Sequence, residues 1–178
     1  MQRHLEVLLS EEKIQARVKE LAEEVGHSIP TDNLLLVGIL KGSVYFLTDF
    51  SRALSVPHEI DFMRVSSYEG ESSRGVVQIL KDLESNIEGR NVLIVEDVVD
   101  SGLTLSHLME MLQVRGPKSL NVVTLLSKAL ARGKVAESKF VGFEIPDQFV
   151  VGYGLDLGEA YRHLPYIATF SHEASTAP

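Results

Sequence analysis

Apolar positions along this chain follow two rhythms that alternate. At the N-terminal end they recur at Ile14, Val18, Leu21 and Val25, with Glu11, Glu12, Lys13, Lys19 and Glu20 between them. That spacing predicts an amphipathic helix capped by Ser10 and closed by Gly26. The run Leu34-Leu35-Leu36-Val37-Gly38-Ile39-Leu40 is instead unbroken, as a strand covered on both faces requires. It ends at Lys41-Gly42-Ser43, after which Val44, Leu47 and Phe50 predict a second helix. His58 to Val65 alternates as a strand, and Val76 to Leu80 resumes one. Between them Ser66 to Gly75 is polar, Ser/Gly-rich and aperiodic, which predicts a mobile surface loop.

The next stretch, Asn91 to Leu105, holds both rhythms and three acids. Val92-Leu93-Ile94-Val95 reads as a buried strand, and Glu96, Asp97 and Asp100 follow it directly. A turn at Ser101-Gly102-Leu103-Thr104 leads into apolar Leu105, Leu108, Met109 and Leu112 at helical spacing. Gly116-Pro117 stops that helix. Ser119 to Leu126 predicts another strand, ending in Ser127-Lys128, and Phe140–Phe143 and Phe149–Tyr153 predict two short ones. The tail beyond Arg162 shows little pattern. Strands and helices alternating from 34 to 126 imply an α/β fold with a mainly parallel, doubly wound sheet. The last third breaks the rhythm, and a small hood from the C-terminal and N-terminal segments is expected over the strand ends.

Composition narrows the function classes. The chain has 178 residues, enough for one domain that buries roughly 70% of its unfolded surface. Zero cysteines exclude a disulfide scaffold and thiolate metal sites, and fit a cytoplasmic enzyme. No apolar run approaches a membrane span, and the first residues lack a signal-peptide plan. A net charge of −8 argues against a nucleic-acid partner. The six histidines are scattered, at 4, 27, 58, 107, 163 and 172, and form no ligand cluster.

Three acids after a buried run are costly to desolvate without a purpose. Glu96 and Asp97 point to opposite faces of an ideal strand, but at a strand end both can reach one cleft. Such a pair suits sugar hydroxyls or a hard divalent cation, with Mg²⁺ the expected ion. A helix N-terminus leaves backbone N–H groups unpaired and partly positive, and Gly102 allows close approach. With the Ser101 and Thr104 hydroxyls this is a phosphomonoester cradle. Asp100 would be repelled by that phosphate, so it is expected to face the reacting part of a phosphorylated sugar.

Val95 to Thr104 resembles the phosphoribosyl-diphosphate signature of the type I phosphoribosyltransferases. Leu40-Lys41-Gly42, Ser67-Tyr68, Leu125-Leu126-Ser127-Lys128 and Ile145 to Asp156 resemble segments of the hypoxanthine-guanine branch, in the same order. The resemblance runs from about Leu34 to Tyr166. It implies that Glu96 and Asp97 hold the ribose hydroxyls, directly or through Mg²⁺. Asp100 is implied as the acid/base at purine N7, and Ser101, Gly102, Leu103 and Thr104 as the 5′-phosphate site. Lys41 and Gly42, with a non-proline cis peptide at that loop, and Arg162 are implied at the pyrophosphate, and Ser67 and Tyr68 on a lid. For the purine, Lys128 is implied at the 6-oxo group, Phe149 as the stacking ring and Val150 through its backbone. Asp156 is implied beside the purine, on a second Mg²⁺ through water. Read alone, Lys128 is an ordinary surface lysine, Phe149 a core residue, and Asp156 and Arg162 solvent-facing.

The reaction implied is hypoxanthine or guanine plus phosphoribosyl diphosphate giving IMP or GMP and pyrophosphate, in a homodimer or homotetramer. Leu103, where many relatives carry a polar residue, offers only backbone. Ala129-Leu130-Ala131-Arg132 lacks a proline frequent at that point. Three other readings stay open: a xanthine-accepting or strongly hypoxanthine-biased enzyme, a non-catalytic regulator that binds phosphoribosyl diphosphate, and an acidic phosphotransferase. The regulator lacks a basic face, and the phosphotransferase leaves Lys128 and the Phe149-Val150 segment unexplained.

Overall fold

The unbroken apolar runs become the middle of a six-stranded sheet. In chain order the computed structural model has β1 (Leu5–Leu9), α1 (Glu11–Ser28), β2 (Leu34–Ile39), α2 (Val44–Ala53), β3 (His58–Tyr68) and β4 (Val76–Lys81). There follow β5 (Asn91–Val99), α3 (Leu103–Gln113), β6 (Ser119–Lys128), β7 (Phe140–Ile145), β8 (Val150–Val151) and β9 (Ile167–Phe170). The structure describes residues 4–68, 76–128 and 140–170. The main sheet is ordered β4-β3-β2-β5-β6-β7. All neighbours in it are parallel except β4, which is antiparallel to β3.

Alternation within the apolar runs decides which helix covers which face. Leu34, Leu36, Leu93, Val95, Val123 and Leu125 lie in one buried cluster with Ile14, Val18, Leu21, Phe46 and Phe50 of α1 and α2. Leu35, Val37, Val92, Ile94 and Val122 lie in a second with Leu105, Leu108 and Leu112 of α3. Each fully buried side chain of this size contributes about 1.5–3 kcal/mol, so both faces need an apolar lining and neither can be polar. The expected doubly wound sheet is therefore the observed one. Among the described residues, no helix is long and apolar enough to cross a membrane.

Several boundaries differ from the expectation. The Ser10 hydroxyl does cap α1, accepting from the Lys13 N–H at 3.4 Å, but Gly26 does not end the helix. It stays helical, and the chain leaves at Ile29, whose N–H donates to the Val25 carbonyl. Strand β5 continues through Glu96 and Asp97 to Val99, so the two acids lie inside the strand and not at its end. Helix α3 begins at Leu103, two residues earlier than the apolar spacing indicates. Ser66, Ser67 and Tyr68 belong to β3 and not to a loop. The rest of the expected loop, 69–75, and the Ala129–Arg132 segment lie outside the described residues. Phe149 precedes β8, which is only Val150 and Val151.

The hood is a three-stranded sheet, β1-β9-β8, with both pairings antiparallel. Neither β1 nor β9 stands out in the sequence. Each is four or five residues long, and β1 is only partly buried, so the period-2 signal is short and diluted.

A buried carboxylate fixes the segment after β4. Asp61, 6% exposed, accepts from the Phe62, Glu84 and Ser85 backbone N–H groups at 2.7, 2.9 and 2.8 Å. Burial pushes its carboxyl up, but those donors together overcome it and leave it below the ordinary range.

The connections set where a ligand can enter. From β2 the chain crosses to β3 on one side, while β5, β6 and β7 extend the sheet on the other. The order reverses between β2 and β5, and loops diverging from their carboxyl ends leave a crevice there. Lys41 and Gly42 leave β2 at this point, and Asp100 to Thr104 leave β5.

Candidate active site

Two adjoining cavities open at this reversal. The larger, about 340 Å³, is lined by Lys41, Gly42, Asp97, Asp100, Lys128 and Phe149, with Val150, Asp156 and Arg162 completing it. The smaller, about 170 Å³, is lined by Glu96, Val99 and Asp100 with Ser101, Gly102 and Thr104. Val98 and Asp100 belong to both walls. Glu96 and Asp97 therefore do not share one cleft: the strand sends them to opposite sides, one into each cavity.

The smaller cavity ends on the N-terminus of α3. Its cap residue is Gly102 at φ +78°, a left-handed conformation that glycine adopts without a Cβ clash. No side chain caps the helix, and its first turn carries no acid. The Ser101 hydroxyl accepts from the Leu103 N–H at a long 3.5 Å. Unpaired N–H groups with the helix dipole behind them make this end an anion seat. Leu103 is 59% exposed and turns its side chain outward, so it can contribute only backbone.

Two carboxyls on β5 are held well away from their ordinary chemistry. Burial raises Glu96, and the neighbouring Asp97 charge raises it further. One of its oxygens, Oε2, is buried without a hydrogen-bond partner among the described residues. Burial also pushes Asp97 up, to about 6, against the lowering effect of the Val98 N–H, which donates to it at 2.9 Å. Buried, underused carboxyl oxygens are matched by hydroxyl donors or by a hard cation.

The larger cavity has a basic rim and a paired wall. The Leu40-Lys41 peptide is cis, as the resemblance implies. The Lys41 ammonium lies 3.0 Å from Glu159, which also meets Arg162 at 3.1 Å. Arg162 pairs with Asp156 at 2.7 Å and donates to the Gly154 carbonyl at 2.6 Å. On the opposite wall Lys128, 13% exposed, is clamped between Asp100 at 2.5 Å and Asp147 at 3.5 Å. Phe149 is 55% exposed with its ring lying against Phe170 at 6.3 Å and 26°, so a broad aromatic face is presented to the cavity mouth.

Two glycines bring these parts together. A Cβ on Gly42 would overlap the Asp97 carboxylate, and a Cβ on Gly154 would overlap the Gly42 carbonyl. The backbone of the β2 loop thus packs directly against the β5 acid's carboxylate on one side and the backbone of the segment after β8 on the other. Tyr153 braces the last of them, its buried hydroxyl donating to Asp49 of α2 at 2.7 Å.

The sequence-expected residues thus assemble around two connected cavities, except for the two expected on a lid. Ser67 and Tyr68 occupy the end of β3, and the loop beyond is outside the described residues. Glu159, Gly154 and Asp147 are also at the site, with no role that the sequence alone indicates. Only the three-residue spacing Asp156, Glu159, Arg162, acids followed by a cation, could draw attention to Glu159.

Comparison with known proteins identifies the relatives of this chain. Residues 4–157 match the phosphoribosyl transferase domain family model. The chain is 55% identical over 170 residues to a Mycobacterium avium hypoxanthine-guanine phosphoribosyltransferase, covering 92% of this chain and 84% of that one. To its Bacillus subtilis counterpart it is 50% identical, covering 90% of each. A crystal structure of a Staphylococcus aureus hypoxanthine phosphoribosyltransferase superposes with a TM-score of 0.88 at 49% identity, over 97% of this chain and 94% of that one. The chain belongs to the phosphoribosyltransferase family, in its hypoxanthine-guanine branch.

Proposed function

We propose that the chain transfers the 5-phosphoribosyl group of phosphoribosyl diphosphate to N9 of hypoxanthine or guanine, releasing IMP or GMP and pyrophosphate, a purine-salvage reaction. The observation that carries this reading is the pair of cavities meeting at Asp100. One ends on an uncapped helix N-terminus suited to a 5′-phosphate. The other offers Lys41 and Arg162 to a pyrophosphate and Lys128 and Phe149 to a base. A ribose spanning the two places its C1 beside Asp100.

A 6-oxopurine presents N7 and its 6-oxo oxygen side by side on one edge. Lys128 and Asp100, already in contact, match that pair as donor and acceptor. Lys128 donates to the 6-oxo oxygen, and the Asp100 carboxylate takes the N7 proton as N9 bonds to C1. The bond from C1 to the pyrophosphate oxygen breaks, and its electron pair leaves with pyrophosphate. Charge building there is met by Lys41 and Arg162, and an oxocarbenium-like centre at C1 by the carboxylates below it. Phe149 covers the base, Val150 offers backbone to its edge, and Ser67-Tyr68 begin a segment that would exclude water during the transfer.

The donor set fits Mg²⁺. Glu96 has a buried oxygen without a partner, and Asp97 is a second hard oxygen ligand. Among the described residues no group of three or more acids or histidines could hold a metal ion. Mg²⁺ commonly takes one or two carboxylates and completes its shell with phosphate and water. Asp97 and, through water, Asp156 would hold it in the larger cavity, where it would neutralise charge on the diphosphate, and Glu96 would serve the ribose hydroxyls or an ion from the smaller cavity. We place the enzyme in the cytoplasm, as a homodimer or homotetramer.

Lys128→Ala tests the assignment of the base pocket. Losing a charged hydrogen bond at a desolvated site costs about 1.5–3 kcal/mol, or roughly 10- to 100-fold in the KM for hypoxanthine. The KM for phosphoribosyl diphosphate is expected to change little, and steady-state kinetics with each substrate varied separate the two. Equal losses for both substrates would remove Lys128 from the base.

A further inference from the structure

Glu159 stands where the proposed pyrophosphate site needs a phosphate oxygen. One of its carboxylate oxygens, Oε2, lies 3.0 Å from the Lys41 ammonium and 3.1 Å from the Arg162 guanidinium. Those are the two cations assigned above to the leaving group. The two cations hold the Glu159 carboxyl below the ordinary range, Lys41 contributing more. Arg162 keeps a further donor in reserve: its Nε is buried and meets no acceptor among the described residues.

The backbone around Glu159 is built to hold it there. Leu157 and Ala160 exchange both backbone hydrogen bonds at 3.2 Å, closing a two-residue hairpin loop. Gly158 and Glu159 occupy the loop at φ +60° and +69°, the paired positive values that type I′ turns require. The second position of such a turn is ordinarily glycine, because a side chain there is strained. This chain places a glutamate in it, and the Asp156 carboxylate accepts the Glu159 N–H at 2.8 Å, fixing the turn. Glu159 is 62% exposed, compared with 46% for Lys41 and 21% for Arg162. It can therefore swing to solvent without opening the fold.

We propose that Glu159 is an internal stand-in for pyrophosphate: it bridges Lys41 and Arg162 before substrate binds and must be displaced when pyrophosphate or the diphosphate of the donor arrives. It pre-positions both cations for a bridging phosphate oxygen, and by competing with the product it speeds release of pyrophosphate. The inference rests on the pyrophosphate site proposed above.

The test is calorimetric titration of pyrophosphate, with magnesium chloride present, into the wild-type chain and into Glu159→Gln. Glutamine keeps the shape and removes the charge. Exposed ion pairs are individually weak and here there are two, so Glu159→Gln is expected to bind pyrophosphate about three- to tenfold more tightly. Glu159→Ala is expected to move the same way, and supplies the measurement if the first variant does not fold. Unchanged or weaker binding by a folded variant overturns the stand-in and leaves the site assignment intact. If the wild type and both variants all fail to bind pyrophosphate, the site assignment falls and the stand-in with it.

Discussion

Asp100→Asn is expected to lower kcat by about 10²–10⁴-fold while the affinity for IMP changes by less than roughly tenfold. The asymmetry follows from what the substitution removes. The asparagine would keep an oxygen at nearly the same place, so the geometry of the base edge survives. It cannot take a proton at N7, so N9 must attack C1 with the purine still protonated. It also removes the charge that Lys128 meets at 2.5 Å, which leaves Asp147 at 3.5 Å as its remaining ion pair among the described residues. In its proposed role a lysine so placed would still donate to the 6-oxo oxygen. Single-turnover rates and IMP titration read the two effects separately. Near-normal turnover would show that Asp100 is not the base, and equal loss of binding and rate would make it a binding residue.

The second large effect is expected at a residue that carries no chemistry of its own. Gly154→Ala should lower kcat/KM for phosphoribosyl diphosphate by about 10²-fold, since misplacing a reacting group by about 1 Å can cost that much. Gly154 sits at φ +102°, and an added Cβ would overlap the Gly42 carbonyl. The overlap is with backbone, so no side-chain rotation relieves it. Either the Gly154 segment moves, taking its contact with Arg162 along, or the Lys41-Gly42 loop moves and presses on Asp97. Gly89→Ala is the matched control. Gly89 also has positive φ, at +70°, but an added Cβ there meets nothing within 4 Å. Both variants are expected to lose stability to backbone strain, about 1–2 kcal/mol. Only Gly154→Ala is expected to lose activity. Comparable activity losses in the two would mean that strain, and not the contact with Gly42, is responsible.

What is legible in the sequence is local. Leu34 to Ile39 reads as a doubly covered strand because its run of apolar residues is unbroken, and it is wholly buried. Asp100 to Thr104 reads as a phosphate cradle because strand, glycine and helix follow one another directly, and the helix end is indeed uncapped. Spacing does not reveal what depends on distant segments. Gly154 matters through Gly42, Glu159 through Lys41, and Asp61 through Glu84 and Ser85, each pair remote in sequence or carrying no period. Strand β9 is visible only once β1 lies beside it. The position of Glu96 and Asp97 escapes the sequence for a related reason. Their acidity suggests the end of a strand, whereas β5 keeps pairing with β6 through Val99 and carries the acids inside the ladder. The cost of burying them is visible in their raised pKa values, and it is the ligand that would relieve it.

Release of pyrophosphate from phosphoribosyl diphosphate, measured with hypoxanthine, guanine, xanthine or adenine as the only added base, tests the central claim most directly. A lysine donates and cannot accept, so in its proposed role Lys128 would favour bases with an oxygen at position 6 and reject the 6-amino group of adenine. Release is expected with hypoxanthine and with guanine, matched by formation of IMP and GMP, and not with adenine. Release that needs no base, or that adenine supports as well as hypoxanthine, would contradict the account.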